Sequence, residues 1–366
     1  MIRLSKSVIG QDEIKAITRV LQDEFLGMGV EVQKFEEELS TFFGRETICV
    51  NSGTAALQLA LQATDIKRGD EVLVQSLTFL ATFQAISAIG AIPIPCEVYE
   101  NTFTIDLEDA KSKITTKTKA IIPVHYASNV GNLDDIYEFA NKYNLRIIED
   151  AAHAFGTKYK NRRIGSFGDI ACFSFDGIKN ITSGEGGGVV SNDAAVIQKI
   201  KNLRLLGVEN DSDNRYQNKR SWDFDVVEQG WRFHMSNIMA AIGRSQLKKF
   251  DLFKAKRQLL AKHYVERLGK IDGLKIFDFN YDEVVPHIFV VRILRGDRDD
   301  IREKLQNEGI QTGIHYKPNH LLSFYKTNYT LPLTKKYYSE ILTLPLHPDL
   351  SLENVDDVCD TLLSKL

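Results

Sequence analysis

Three short segments combine reactive residue types with positions where an α/β chain builds sites. Asn51-Ser52-Gly53-Thr54 follows the strand-like Thr47-Ile48-Cys49-Val50 and opens a helical pattern. Free backbone N–H groups and the helix dipole at such a place suit an anion such as phosphate. Glu149-Asp150 ends the apolar run Leu145–Ile148 and is followed by Ala151-Ala152-His153. Lys179 lies shortly beyond the run Ala171–Phe175 and ahead of Gly184-Glu185-Gly186-Gly187-Gly188. Taken singly, each segment fits a plainer role: a helix cap, a loop cap, and a solvated lysine beside a tight turn. Taken together and in this order, they match what a phosphate-bearing pyridine aldehyde requires. Such a group needs an anion cradle, an acid that keeps its ring nitrogen protonated, and a lysine that forms an imine. A helix terminus contributes about 0.3–1 kcal/mol to an anion, whereas a hydrogen bond to a charged group contributes about 1.5–3 kcal/mol. A dianionic phosphate therefore also needs side-chain donors, and Thr54 and Ser174 are the candidates.

The elements that must carry these residues alternate along the chain. Phe35–Phe43, Gly53–Thr64 and Asp134–Tyr143 read as helices; Glu71–Val74, Ile92–Val98, Ala120–Val124, Leu145–Ile148 and Ile170–Phe175 read as strands. That alternation predicts an α/β fold with a mostly parallel sheet sandwiched by helices, in which sites form beyond the carboxyl ends of the strands. Gly207–Gly230 is a long polar stretch, the kind of segment that is usually functional or disordered. After it, Ser245–Leu268 carries Leu247, Phe250, Phe253, Leu260 and Tyr264 at helical spacing, predicting one long amphipathic helix. A strand over His287–Leu294 and a terminal helix complete a smaller C-terminal α/β domain. The expected division is 1–248 for the large domain and 249–366 for the small one.

Composition excludes several functions. Lys+Arg 46 against Asp+Glu 49 gives a formal net charge of -3, without the basic excess that nucleic acid demands. Cys49, Cys96, Cys172 and Cys359 lie far apart, with no CxxC or paired-His spacing for a metal. No secretory leader is evident at the start and no apolar run approaches the roughly 18 residues of a membrane span, so a cytoplasmic protein is expected. No G-x-G-x-x-G follows a strand, which removes a nicotinamide enzyme of the usual dinucleotide-binding kind.

The segments NSGTAALQLAL, LTFLAT, IIEDAAHAFG, CFSFDGIKNITSGEGGGVV and HYKPNH carry a resemblance that runs over essentially the whole chain. It resembles the nucleotide-sugar aminotransferases of the DegT/StrS type, which are fold-type I enzymes dependent on pyridoxal 5'-phosphate. The resemblance implies that Lys179 is the Schiff-base lysine, that Asp150 pairs with the pyridine nitrogen, and that Gly53, Thr54 and Ser174 hold the phosphate. It places Phe79 against the cofactor ring and His153 beside the ring hydroxyl, although a core phenylalanine and a satisfied buried imidazole remain open readings. His315, Tyr316 and His320 fall in the substrate-side loop. The family's Gly-Tyr/Trp-Asn-x-Arg motif is altered here to Gly230-Trp231-Arg232-Phe233-His234. Arg232 thus stands where the family's Asn reaches the partner subunit's phosphate; it either replaces that amide or faces solvent. Ala127 occupies a position where many members have glycine.

The implied reaction takes an amino group from L-glutamate and gives it to a nucleotide-linked keto-deoxysugar, in a homodimer with shared active sites. Lys179 moves the proton in both halves, and because 2-oxoglutarate leaves before the keto-sugar reacts, ping-pong kinetics are expected. The setting implied is amino-sugar biosynthesis for surface glycans such as lipopolysaccharide O-antigen, or for natural products. Related sugar dehydratases carry His at the lysine position, and Lys179 argues against that chemistry. The run Ser174-Phe175-Asp176-Gly177-Ile178-Lys179 with Ser183-Gly184-Glu185-Gly186 looks more like members acting at C4 of the sugar than at C3. A non-catalytic regulatory or binding protein would leave Asp150 and Lys179 unexplained.

Overall fold

Strands buried on both faces must be apolar almost throughout, and the short apolar runs of this chain assemble into one central sheet. In the computed structural model, which describes residues 1–219, 222–226 and 228–366, the strands are β1 (Thr47–Val50), β2 (Glu71–Gln75), β3 (Ile92–Cys96), β4 (Thr118–Ile122) and β5 (Arg146–Asp150). A separate hairpin of β6 (Lys158–Tyr159) and β7 (Arg162–Arg163) precedes β8 (Ile170–Ser174) and β9 (Gly187–Ser191). The seven-stranded sheet has the order β1-β9-β8-β5-β4-β2-β3. Pairing is parallel from β8 through β5, β4 and β2 to β3, whereas β9 runs antiparallel to its neighbours β1 and β8. Strands β1, β5 and β8 therefore share a direction.

The helices of this unit are α1 (Gln11–Gln22), α2 (Val30–Phe43), α3 (Gly53–Ala63), α4 (Leu80–Ala88), α5 (Leu107–Ser112), α6 (Leu133–Tyr143), α7 (Ala194–Leu203), α8 (Asp211–Tyr216) and α9 (Asn237–Lys248). Helices α2 and α6 cover one face through Val32, Phe35, Leu39, Ile136 and Phe139. The other face is closed by α3, α4 and α7 through Leu57, Leu61, Phe83, Ile86 and Ile200. A second unit follows with α10 (Phe250–Leu268), β10 (Leu274–Ile276), β11 (Phe289–Ile293), α11 (Arg298–Asn307), α12 (Pro332–Glu340), β12 (Ile341–Leu344) and α13 (Leu352–Leu363). Its sheet is antiparallel in the order β10-β11-β12, over a core that includes Leu260, Tyr264, Val291, Leu342 and Val358. The chain's start also joins it: Ile2 bridges Ile310, and Leu346 N–H donates to the Leu4 carbonyl.

Three expectations need correction. The single helix predicted over Ser245–Leu268 is two helices meeting at Lys249, because α9 packs on α1 and α2 while α10 packs on α13. The apolar spacing runs through that joint; Phe250 at the start of α10 still packs in the large-unit core, α10 joins the core of the second unit only from Leu260 on, and the Lys249 ammonium is tied to the buried Glu13 carboxylate at 2.9 Å. The glycine run ahead of β9 is more than a turn. Gly187 and Gly188 sit inside the sheet, and a Cβ on Gly187 would lie 2.4 Å from the Ser52 carbonyl oxygen, so glycine there admits the start of α3. The polar stretch Gly207–Gly230 contains α8, held by the buried Arg204 guanidinium, which donates to Ser212 Oγ and Tyr216 OH. Arg220, Ser221 and Val227 of that stretch lie outside the described residues. Among the described residues no helix is long and apolar enough to cross a membrane, and no cluster of His, Cys, Asp or Glu could hold a metal ion.

Candidate active site

Because β1, β5 and β8 run the same way, their carboxyl ends open on one edge of the sheet. The three segments picked out in the sequence meet there, around a cavity of about 410 Å³ lined by the first turn of α3, Asp150, His153, Ser174 and Lys179, with Phe79, His315 and Tyr316 completing the wall.

The start of α3 follows from local sequence. Ser52 caps it, with Oγ accepting from Ala55 N at 3.1 Å and its carbonyl from Ala56 N at 3.0 Å. The N–H groups of Gly53 and Thr54 belong to the first turn, where a helix offers no internal acceptor, and both residues line the cavity. A Cβ on Gly53 would stand 2.8 Å from Ser174 Cβ, so glycine lets α3 lie against the end of β8. The cap reading and the cradle reading therefore hold together: Ser52 does the capping and leaves Gly53 and Thr54 free.

Asp150 is 5% exposed and its carboxylate is fixed from two sides. Thr82 Oγ1 on α4 donates to Oδ2 at 2.7 Å, and Ala152 N donates to Oδ1 at 3.2 Å. Strand alternation sends the adjacent Glu149 to the opposite face, where its oxygens meet His125 Nε2 at 2.8 Å and Tyr137 OH at 2.6 Å. Of the two neighbouring carboxylates, only Asp150 lines the cavity.

Lys179 is no solvated surface residue. Its Nζ stands 3.3 Å from His287 Nε2, and burial pushes its amine down to about 8, against the opposing pull of Asp150 and Asp176. Around it the polar groups are held in their neutral forms. His153 Nδ1 accepts from Ala127 N at 3.3 Å, which assigns the ring proton to Nε2 for donation to Tyr316 OH at 3.0 Å. Burial, then Lys179, His315 and His125, keeps the His153 imidazole well below its usual range. His315 bonds Thr343 Oγ1 at 2.9 Å and is lowered to about 4 by burial and by Lys179. Burial raises the Tyr316 phenol, so it stays protonated. Ala127 has φ +53°, a left-handed conformation, which gives a physical reason for glycine at the same position in similar chains.

Phe79, at the start of α4, is 57% exposed, which removes the core reading; its ring centroid is 5.4 Å from that of Tyr316. Two expected site residues do not join the cavity within this chain. The side chain of Arg232 is exposed while its backbone bridges Leu205. His320 is turned away, its Nδ1 bonded to Ser76 Oγ at 2.7 Å beside Asn319, which donates to the carbonyls of Ser76 and Thr78. Sequence reasoning passed over Thr82, Asp176 and His287. Thr82 gave no signal beyond being a polar residue in an apolar helix, and His287 read only as the start of a strand.

The family model described as the DegT/DnrJ/EryC1/StrS aminotransferase family matches residues 7–363. Spore coat polysaccharide biosynthesis protein SpsC of Bacillus subtilis is 36% identical over 369 residues, covering 97% of this chain and 95% of that protein. The aminotransferase TlmJ from Streptoalloteichus hindustanus superposes with a TM-score of 0.92 at 28% identity, over 100% of this chain and 99% of that one. A putative sugar aminotransferase from Streptococcus pneumoniae in its PLP form gives 0.91 at 29% identity, over 99% and 98%; its PMP form gives 0.92.

Proposed function

The chain belongs to the DegT/DnrJ/EryC1/StrS aminotransferase family, as a pyridoxal-phosphate-dependent sugar aminotransferase, and we propose that it moves the amino group of L-glutamate to C4 of a nucleotide-linked 6-deoxy-4-keto-hexose. The observation that carries this reading is the meeting of the α3 start, Asp150 and Lys179 around one cavity. The residues present fit the cofactor. Gly53, Thr54 and Ser174 form a cradle that a side chain at Gly53 would fill, and Asp150 is a buried carboxylate with room beside it for a ring nitrogen. Phe79 and His153 would flank the ring, and His315 and Tyr316 would face the sugar.

When bound, pyridoxal phosphate supplies an aldehyde that condenses with amines and a ring that withdraws electrons. The chain supplies the rest. Asp150, held by Thr82 and Ala152 N, keeps the ring nitrogen protonated through a close opposite charge. Lys179 Nζ, with its amine near 8 rather than near the ordinary 10.5, is mostly protonated at pH 7 but keeps about one-tenth as free base, far more than an ordinary lysine, and takes and returns the substrate proton. Neutral His153 and His315 leave that proton no competing base of similar strength.

L-Glutamate as donor and the nucleotide linkage are supported by the resemblance of the motifs, and C4 by the residues flanking Lys179. A homodimer with shared sites is supported by an apolar surface around Arg232. The Leu205–Arg232 and Val208–Val226 bridges fold a ribbon that leaves Leu206 and Val226 exposed, close in sequence to Trp222 at 86% and Phe224 at 58% exposure. A second copy would cover that surface and bring Arg232 to its partner's cavity; His320 would bear on substrate through the loop it shares with His315 and Tyr316. The division at 248 and 249 is supported by the change of packing partner there, α9 lying on α1 and α2 and α10 on α13. A cytoplasmic place in making amino sugars for surface polysaccharides, O-antigen included, goes with the same reading. The test supplies dTDP-4-keto-6-deoxyglucose and its 3-keto isomer separately with L-glutamate and locates the new C–N bond by NMR. Amination at C4 is expected; turnover of the 3-keto isomer alone overturns C4, and turnover of neither overturns the dTDP-linked substrate in favour of UDP or GDP.

A further inference from the structure

His287 stands where the second unit meets the large sheet, directly ahead of β11, and its backbone is anchored from both sides. Its backbone N–H donates to Ser128 Oγ at 3.0 Å, and its carbonyl accepts from Arg257 Nη1 at 3.1 Å. The Ser128 hydroxyl in turn donates to the His153 carbonyl, and the rings of His153 and His287 lie 4.4 Å apart at 51°. Arg257 is 2% exposed, and no carboxylate among the described residues pairs with it. Its Nη1 reaches the carbonyls of Pro286, His287 and Leu346 instead. A buried guanidinium spread over carbonyls is costly, and here it locks the Pro286–His287 turn against Lys179.

We propose that His287 is the positioning residue for Lys179: its Nε2 accepts a hydrogen bond from the Lys179 amine whenever that amine carries no substituent, and so holds it over the cavity between the two half-reactions. The inference rests on the reading of Lys179 as the amine that joins the cofactor. The imidazole must be neutral to accept, and burial together with the positive charge of Lys179 and Arg257 keeps it so. Accepting at Nε2 puts the ring proton on Nδ1, which meets no partner among the described residues. The ring is thus aimed by its backbone anchors and by the amine. Without it, the ammonium on its flexible stem would be left to the pull of Asp150 and Asp176, the two acids that act on it.

The test uses full-length protein stripped of bound cofactor. Lys179 is titrated by its rate of acylation with a small reagent over a pH series, read by peptide mass mapping. A hydrogen bond that favours the charged amine holds its midpoint up by roughly one unit. His287→Leu is therefore expected to lower the Lys179 midpoint by about one unit, and so to raise its acylation rate about tenfold at a fixed pH below both midpoints. His287→Gln, whose amide oxygen can reach the place of Nε2, is expected to keep the native midpoint. An unchanged or raised midpoint in His287→Leu overturns the proposal. If that variant does not fold, His287→Asn, too short to reach the amine, replaces it with the same expected fall, and a native midpoint there overturns the proposal. Borohydride reduction of the native holoprotein is run alongside. A label absent from Lys179 would defeat the functional reading while leaving the titration result to stand on its own.

Discussion

Gly53→Ala separates the two roles that the start of α3 can play. As a helix position alone, Gly53 would gain from the change, since alanine in place of glycine favours a helix by about 0.8–1 kcal/mol, and no left-handed φ obstructs it. The structure predicts the opposite sign. The new Cβ would lie 2.8 Å from Ser174 Cβ, 3.2 Å from Ser174 Oγ and 3.3 Å from Ser174 Cα. Ordinary carbon contacts are about 3.5–4.0 Å, so α3 and the end of β8 must part by roughly an ångström. Ser174 lies on a strand bonded on both sides and cannot simply swing away. Overpacking of this kind costs about 1–3 kcal/mol. The same displacement separates the Thr54 and Ser174 hydroxyls, and loss of one hydrogen bond to a charged phosphate costs a further 1.5–3 kcal/mol or so. The dissociation constant for pyridoxal phosphate should therefore rise at least about tenfold. It is measured by absorbance titration of the stripped protein, with urea unfolding of the same sample for stability. A variant as stable as the native protein would refute the contact argument, and a destabilised one with native cofactor affinity would refute the cradle.

Further outcomes follow from other parts of the site. Thr82→Val removes the hydroxyl that donates to Asp150 Oδ2; turnover is expected to fall about tenfold or more, by loss of a hydrogen bond to a charged group, with Thr82→Ser close to native in the same kinetic assay. His315 has a folded-state pKa of about 4, below the ordinary 6.5. Its contribution to stability is therefore present above about pH 6.5 and is lost as pH falls toward 4, because the unfolded chain binds the proton more readily. Urea midpoints between pH 7 and 5 should fall, and fall less in His315→Asn. Trp222→Asp places a charge on the exposed apolar ribbon and is expected to shift sedimentation from dimer to monomer. Arg232→Ala should raise the cofactor dissociation constant about tenfold while leaving urea stability unchanged, since its side chain is exposed.

The parts of the fold that could be read from sequence are those where local pattern and tertiary role coincide. Apolar runs such as Ile170–Ser174 are buried end to end, and they became strands. Strand β9 escaped because its glycines, which look like a turn, are there to let Ser52 approach. The helix break at Lys249 escaped because periodicity reports an apolar face, which here runs from Leu247 to Phe250 without interruption, and says nothing of the backbone between them. At the site, Gly53, Asp150, Ser174 and Lys179 stood out by their order at the ends of strand-like runs, and the structure brings all four to one cavity. Thr82 and His287 were not, because their roles depend on register: Thr82 reaches Asp150 only once α4 lies beside the sheet, and His287 arrives from the second unit.

What these late-arriving residues add is control of charge. Lys179 sits between two opposing sets of groups. Asp150 and Asp176 stabilise its ammonium, while burial and the Arg257 guanidinium disfavour it, and the balance leaves the amine near 8. The three imidazoles closest to it, His153, His287 and His315, are all driven below their usual range with Lys179 itself among the causes. A cluster of four basic groups thus carries at most about one proton near neutral pH, because each charge placed there disfavours the next. That proton belongs on the lysine, the strongest base of the four, which is where a group that both takes and returns a substrate proton needs it. Replacing one of these imidazoles by a permanent cation would lower the Lys179 amine further. His315→Arg is therefore expected to shift the acid limb of the pH–rate profile to lower pH, and an acid limb that stays put or moves up would show that the cluster does not share charge in this way.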